Sequence, residues 1–168
     1  RVLFRSNDYG NTLTPKMTDA DRNWSSISVS SSGQYQTAVI NNGKIYISND
    51  YGDTWQSKEN SRQWYSISMS ANGRRIVAVA DSSYIYISDD YGETWKPEFT
   101  IKEWRAVVIL SNGAKIIAAA WGGQLYISSI LANQQYLLRG TQGSSVELQY
   151  IGNNQYMIIS QTGSVYTN

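Results

Sequence analysis

The chain has 168 residues, 14 basic against 13 acidic side chains, and neither cysteine nor histidine. A net charge of +1 gives no bulk attraction to nucleic acid or to an anionic membrane. The missing residue types exclude disulfides, thiolate nucleophiles and cysteine-type zinc sites and remove the commonest general base, so no metal or cofactor is expected. The longest apolar runs, Ala106 to Leu110 and Ile116 to Trp121, are far too short to cross a bilayer, so no membrane insertion is expected. No signal-like apolar region is visible, and a start at Arg1, inside a repeat, predicts a chain processed or excised from something longer.

In chain order, Val2 to Leu13 matches Lys44 to Trp55 at an offset of 42 and reads as the third and fourth strands of a leading half-unit. From residue 24 onward the chain repeats every 40 residues without a gap. Trp24, Trp64 and Trp104 give way to Ser144. Gly33, Gly73 and Gly113 give way to Asn153, and Ala38, Ala78 and Ala118 to Ile158. Tyr46, Tyr86, Tyr126 and Tyr166 are unbroken. The single repeat domain therefore divides into units 1–23 (partial), 24–63, 64–103, 104–143 and 144–168. Repeats of this length are supersecondary units that bury their faces only against their neighbours.

The unit from residue 64 shows the strands most clearly. Trp64 to Ser70 alternates, as a half-buried strand does. Ala71-Asn72-Gly73 is a tight hairpin turn, Arg75 to Ala80 a buried second strand and Asp81-Ser82-Ser83 a second turn. Tyr84 to Ser88 is the third strand, and Thr94 to Lys96 begins the fourth. Thirteen Tyr and six Trp against two Pro suit such pleated surfaces. The fold class is all-β, a β-propeller of four-stranded antiparallel blades with about four repeat units of ~40 residues. A β-solenoid is the alternative, but its coils are usually shorter and lack hairpin turns of this kind.

Between the third and fourth strands lies an eight-residue string. It reads S-N-D-Y-G-D-T-W from Ser48 to Trp55 and S-D-D-Y-G-E-T-W from Ser88 to Trp95, and S-N-D-Y-G-N-T-L from Ser6 to Leu13. It is lost in the next unit, where Ser128 survives but Ile130, Ala132 and Gln135 replace Asp, Gly and Trp. Asp8, Asp50 and Asp90 are of the type that folds back onto turn N–H groups. Gly10, Gly52 and Gly92 supply a positive φ, Thr12, Thr54 and Thr94 can bond the aspartates, and Trp55 and Trp95 can pack beneath the turn. These roles are structural rather than catalytic.

The string resembles the Asp-box, or BNR repeat, S-x-D-x-G-x-T-W, of a β-propeller superfamily that includes sialidases and other glycosidases, sortilin-type receptors and a photosystem II assembly factor. The resemblance implies boxes on one face and ligands on the other, where the second-to-third turns and the connections between blades lie. Two departures from the repeat fall on that second face. Trp121 stands in a Gly-flanked turn where the other units have Asn41, Asp81 and Gln161, as a platform for a sugar ring or an anchor for a partner. Arg22, Arg62 and Lys102, with Gln142 in the last unit, precede the strand-opening positions by two residues. They would form a partial basic ring that favours an acidic ligand. Trp121, Arg22, Arg62, Lys102 and Asp81 are the candidate ligand-binding residues.

The resemblance also raises a sialidase, with its arginine triad, Tyr nucleophile and carboxylic acid. The R-I-P type motif of those enzymes is absent from R-V-L-F-R ahead of the first box. Asp21, Glu59, Asp81, Glu98 and Glu103 are the available acids, and nothing sets two of them at glycosidase separation. No catalytic residue is assigned and the chain is read as a non-enzyme. It is expected to bind a protein or glycan partner through the face opposite the boxes. The alternatives are a structural subunit of a larger assembly, with the degenerate stretch 129–143 buried against a partner, and a sialidase-like relic. The N-terminal strands could complete the last blade and close a ring, although the third strand is then present twice; the alternatives are that the chain is part of a larger propeller or is completed by another copy. By resemblance, an extracellular, lumenal or virion-associated setting is favoured.

Overall fold

The computed structural model describes residues 3–6, 8, 10–129, 138–140, 145–152, 155–162 and 165–167. All described regular elements are strands. A leading pair, β1 (Leu3–Arg5) and β2 (Thr14–Lys16), forms a two-stranded sheet. Then β3 (Trp24–Val29), β4 (Gln36–Ser48), β5 (Gln56–Met69), β6 (Ile76–Ala80), β7 (Ser83–Ser88) and β8 (Lys96–Lys102) join edge to edge in chain order. β9 (Trp104–Ile109), β10 (Lys115–Ala120), β11 (Gln124–Ser129) and β12 (Leu138–Gly140) form the next sheet. β13 (Ser145–Gly152) and β14 (Gln155–Thr162) pair with each other, whereas β15 (Val165–Thr167) pairs with β12.

β4 and β5 are long because each runs through a bend. Asn42 turns β4 at φ 59°, and Thr37 Oγ1 then donates to the Tyr46 carbonyl at 3.2 Å across the two halves. The first half of β5 pairs with β4 and its second half opens the next sheet by pairing with β6. The run β3 to β8 is therefore two four-stranded units in series. The bends recur one period later, with Ser82 at φ 46° and a bulge at Phe99, φ 65°. The fourth strand of the second unit starts at Lys96 rather than Thr94, because the Asp90 carboxylate holds the Thr94 amide in the preceding turn at 2.9 Å.

The three units that keep the opening Trp share the same pair of rings. Trp24 meets Tyr46 edge to face at 5.4 Å, Trp64 meets Tyr86 at 5.2 Å, and Trp104 meets Tyr126 at 5.1 Å. Ala78 lies opposite both Ile67 and Tyr86 on its two neighbouring strands, and the small methyl leaves room for the rings. The cores then form between units rather than within them. Val39, Ile45 and Ile47 of the first unit pack with Trp64, Ile67, Met69 and Tyr86 of the second. Val77, Val79 and Ile85 of the second pack with Trp104, Val107, Ile109 and Tyr126 of the third. Burying such side chains fully stabilises by roughly 1.5–3 kcal/mol each, so stacking is where these sheets gain their stability.

The first strand of each unit is paired on one edge only, which orphans its other N–H groups. Serines of the preceding unit satisfy them. Ser26 Oγ accepts from Ile67 N at 3.3 Å and Ser28 Oγ from Met69 N at 3.0 Å. One period on, Ser66 Oγ accepts from Val107 N and Ser68 Oγ from Ile109 N, both at 3.2 Å. Backbone bonds between hairpin turns, Ser31 N to Ala71 O and Ala71 N to Ser111 O at 2.8 Å, continue the seam. The third unit has Ala106 and Val108 where these serines would fall and offers no hydroxyl to a fourth.

The last unit departs from the expected order. Its third strand, β15, leaves β14 and lies along the outer edge of β12, with Arg139 opposite Tyr166. That edge would otherwise present an open ladder of backbone groups, which a short terminal strand can satisfy. The N-terminal pair lies against the first unit: Arg5 Nη1 donates to the Tyr51 carbonyl at 2.5 Å and pairs with Asp53 at 2.8 Å, joined by Lys16 at 3.0 Å, as Lys58 meets Glu93 at 2.7 Å one unit on. β1 and β2 thus sit beside the first unit's eight-residue turn. Most of the stretch 129–143, expected to be buried against a partner, and Gln142, the fourth ring position, lie outside the described residues.

Two measurements test this account. Ser68→Ala, which leaves the Ile109 N–H unsatisfied, is expected to destabilise by about 1–2 kcal/mol in urea unfolding; no change would remove the serine seam. Gly92 sits at φ 91°, and a Cβ there would lie 2.7 Å from Ile47 Cδ1 of the neighbouring unit, whereas Gly10 has the same φ with nothing within 4 Å. Gly92→Ala should therefore cost clearly more than Gly10→Ala, by at least about 1 kcal/mol, and equal losses would show that the backbone angle alone matters.

Candidate functional site

The two ends of the sheets are chemically different. At one end the eight-residue turns bond back to the hairpin turns, Tyr51 N to Gln34 O and Tyr91 N to Arg74 O, both at 3.0 Å. At the other, the second-to-third turns bond to the connections between units: Asn41 N to Asn23 O and Asp81 N to Gln63 O at 3.0 Å, and Trp121 N to Glu103 O at 2.8 Å. The two faces expected from the sequence thus exist as separate surfaces.

The turn end is self-contained. Asp50 Oδ1 accepts from Thr54 N at 2.9 Å and Oδ2 from Thr54 Oγ1 at 2.5 Å, and Asp90 repeats both bonds with Thr94. Asp8 does the same with Thr12 at 2.8 and 2.7 Å. Ser48 and Ser88 Oγ donate to these aspartates at 2.8 Å and accept from Gly52 N and Gly92 N at 2.9 Å. Ser6 Oγ donates to Asp8 at 2.8 Å and accepts from Gly10 N at 2.7 Å, so the serine is the hub of the turn. Trp55 and Trp95 close it from below, donating Nε1 to the Gly52 and Gly92 carbonyls at 3.2 and 3.0 Å. The Thr54 hydroxyl and amide hold Asp50 at a pKa of about 2. Asp90 also lies at about 2, because Thr94 and Ser88 outweigh the burial that pushes it up. Carboxylates held ionised by their own turn are unsuited to acid catalysis.

At the opposite end the candidate cations have local work. Arg22 forks onto Asp19 at 2.7 and 2.9 Å and lies 6.0 and 5.5 Å from the Trp24 and Tyr46 ring centres. Arg62 lies 5.9 and 4.7 Å from those of Trp64 and Tyr86, with Glu59 at 3.7 Å, and Lys102 Nζ lies 5.2 Å from that of Tyr126. Each lies against the aromatic rings of the unit that follows it. The Asp19 hydrogen bonds raise the pKa of Arg22 further, against the effect of burial.

Trp121 and Asp81 are brought together by a residue that sequence reading missed. Arg105 Nη1 binds Asp81 Oδ1 at 2.5 Å, its Nη2 reaches Glu103 at 3.5 Å, and its guanidinium lies 4.4 Å from the Tyr65 ring centre and 5.4 Å from that of Trp121. Trp121 is nonetheless 72% exposed. The signal was present in the repeat: stepping by 40 through this position gives Ser25, Tyr65, Arg105 and Ser145, a break as sharp as that at Trp121. Asp81 and Glu103 share one guanidinium, Glu59 faces Arg62, and Glu98 is exposed on β8. Among the described residues, no group of three acidic side chains is placed to hold a metal. Two indentations among the described residues lie at the turn end, between units. One is lined by Tyr35, Ile47, Asp90 and Tyr91, the other by Asn72, Arg74, Arg75 and Asp89.

No protein-family model matches this sequence, and no curated protein is detectably similar to it. Solved structures do match, and they are β-propellers. YCF48 bound to a D1 peptide aligns at 12% identity with a TM-score of 0.54, over 82% of this chain and 55% of that one. The Cps50 (Swd1) β-propeller domain of Myceliophteria thermophila aligns at 13% identity and 0.57, over 74% and 51%. A structure from a nidogen/laminin complex aligns at 10% and 0.60, over 76% and 54%. The chain has the β-propeller fold and spans about half the length of these propellers.

The depressed carboxylates set an acid limit. Because Asp50 and Asp90 are lower in the folded state than in the unfolded chain, their contribution is present above about pH 4 and is lost as pH falls through about 2. Unfolding midpoints are expected to fall between these values, and less steeply in Asp50→Asn/Asp90→Asn. A slope unchanged by that double substitution would assign the acid sensitivity elsewhere.

Proposed function

We propose that this chain is a non-catalytic recognition module that binds a protein or glycan partner through the end carrying Tyr65, Arg105 and Trp121. One observation carries the reading: Trp121 is largely exposed yet held by a guanidinium that two carboxylates and a second ring fix in place. A large, rigid aromatic surface that loses little entropy on contact is the usual anchor of a binding site. Binding of a D1 peptide by YCF48 and the nidogen/laminin complex support a protein partner for a fold of this kind. We also read the eight-residue turns as Asp-boxes, from their Ser, Asp, Gly and Thr geometry. On this reading no residue is catalytic. At Trp121 the carboxylates of Asp81 and Glu103 face one guanidinium, while Arg22, Arg62 and Lys102 lie at the same end, so both signs of charge are offered to a partner.

The test is panning of a random peptide library and a glycan array with the parent chain, Trp121→Ala and Arg105→Ala. Any selected ligand is expected to lose at least about tenfold in affinity with Trp121→Ala, and to lose affinity with Arg105→Ala as well. Ligands that survive both substitutions would move the site elsewhere, and silence from every probe would favour a structural subunit.

A further inference from the structure

The turn end carries a strain that the turns themselves do not require. Tyr51 and Tyr91 adopt φ 61° and 62°, a left-handed conformation that bulky L-residues avoid. The eight-residue pattern leaves this position free, yet its three copies carry Tyr9, Tyr51 and Tyr91. Asn or Gly would adopt the same backbone more easily. Packing alone does not account for the choice, because Tyr51 and Tyr91 remain 52% and 38% exposed. A bulky ring held toward solvent on a strained backbone points to a use for that ring.

Tyr91 stands in a groove between the units 24–63 and 64–103, with a volume of about 220 Å³. That is room for one sugar ring rather than for a drug-sized ligand, whose pockets span about 300–1,000 Å³. The Tyr91 ring lies 4.5 Å from that of Tyr35, which is wedged over Gly73 so closely that a Cβ there would come within 2.7 Å of it. Beside the rings, Asn49 and Gln56 are exposed and make no side-chain hydrogen bond among the described residues. Glu93 binds Lys58 at 2.7 Å through one carboxylate oxygen. The backbone amides of the walls are already taken: Gly52 N by Ser48, Gly92 N by Ser88, Thr54 N by Asp50 and Tyr91 N by the Arg74 carbonyl. An extended peptide therefore finds little backbone to pair with. A hydroxyl-rich ring finds two side-chain amides, a carboxylate and an aromatic surface.

The next seam differs in kind. One period on, Arg75 replaces Tyr35, Asp89 replaces Asn49 and Lys96 replaces Gln56. There Arg75 Nε binds the Asp89 carboxylate, Arg74 Nε donates to the Asp89 carbonyl at 3.0 Å, and Arg75 Nη1 donates to the Gly113 carbonyl at 3.1 Å. Those polar groups satisfy one another, whereas the amides of the first seam stay free. We propose that the groove between the units 24–63 and 64–103 is a subsite for one neutral pyranose ring of a glycan, its apolar face on Tyr91 and its hydroxyls on Asn49, Gln56 and Glu93. Asp90 and Glu93 against Lys58 leave no surplus positive charge to hold an acidic sugar. The subsite lies at the end of the sheets opposite Trp121 and does not depend on that residue.

The test is an amide NMR titration of the 168-residue chain with maltotriose, cellotriose, mannotriose and N-acetylchitotriose. Each is taken to about 10 mM, above the roughly millimolar Kd of a site that holds one ring. At least one sugar is expected to shift the amides of Asn49, Tyr91 and Glu93. Tyr91→Asn suits the left-handed backbone and should raise the Kd of that sugar about tenfold or more. Asn49→Ala/Gln56→Ala breaks no side-chain bond of the fold and should weaken the same sugar, while Trp121→Ala should leave it unchanged. Silence from all four sugars, shifts confined to the Trp121 end, affinity undiminished in Asn49→Ala/Gln56→Ala, or a response of these amides to peptides alone would each overturn the proposal.

Discussion

The architecture depends on the unpaired edge of each unit's first strand. A strand bonded on one side only leaves alternate N–H groups without partners, and leaving such groups buried and unbonded costs about 1–3 kcal/mol each. Here they are met by hydroxyls two residues apart, Ser26 and Ser28, then Ser66 and Ser68. In the second unit Ile67 and Met69, which alternate with Ser66 and Ser68, point the other way and fill the core shared with the preceding unit. One alternating strand of that unit therefore serves two interfaces. The seam stops at Ala106 and Val108, and beyond it the fourth unit's strands pair in a different order.

The two ends of the sheets differ in how far their residues are tied to the fold. At the turn end, serine, aspartate, glycine and threonine satisfy one another, and Gly92 must lack a side chain because Ile47 of the preceding unit occupies that space. Little of the turn itself is left for chemistry with a substrate. At the other end, a single backbone bond ties each turn to its connection, and side chains can vary with small effect on the fold. Trp121 and Arg105 are such variations. The three capping cations lie between these extremes: they face the open end, yet the aromatic pairs and the carboxylates of Asp19 and Glu59 engage Arg22 and Arg62.

Much of this was legible in the sequence. The 40-residue period, the strands, the Asp–Thr bonds of the turns and the two distinct faces follow from local pattern. The serine seam was not recognised, because alternating serines in a strand look like a solvated face until a neighbouring sheet is placed beside them. Arg105 was passed over for a related reason: its meaning depends on Tyr65, Asp81 and Trp121, which are 40, 24 and 16 residues away and share no local motif.

By itself, then, the sequence determined the all-β class, the period, the hairpin geometry and the turn that closes each unit. These rest on contacts within about ten residues, where residue type dictates backbone conformation. Only the tertiary structure decided that the cations sit against the buried rings, that Trp121 is held by Arg105, and that the last strand leaves its own unit. Those outcomes depend on how sheets stack and on which strand edges remain unpaired, balances of burial and backbone hydrogen bonding that arise between units and that a repeating sequence states identically for every copy.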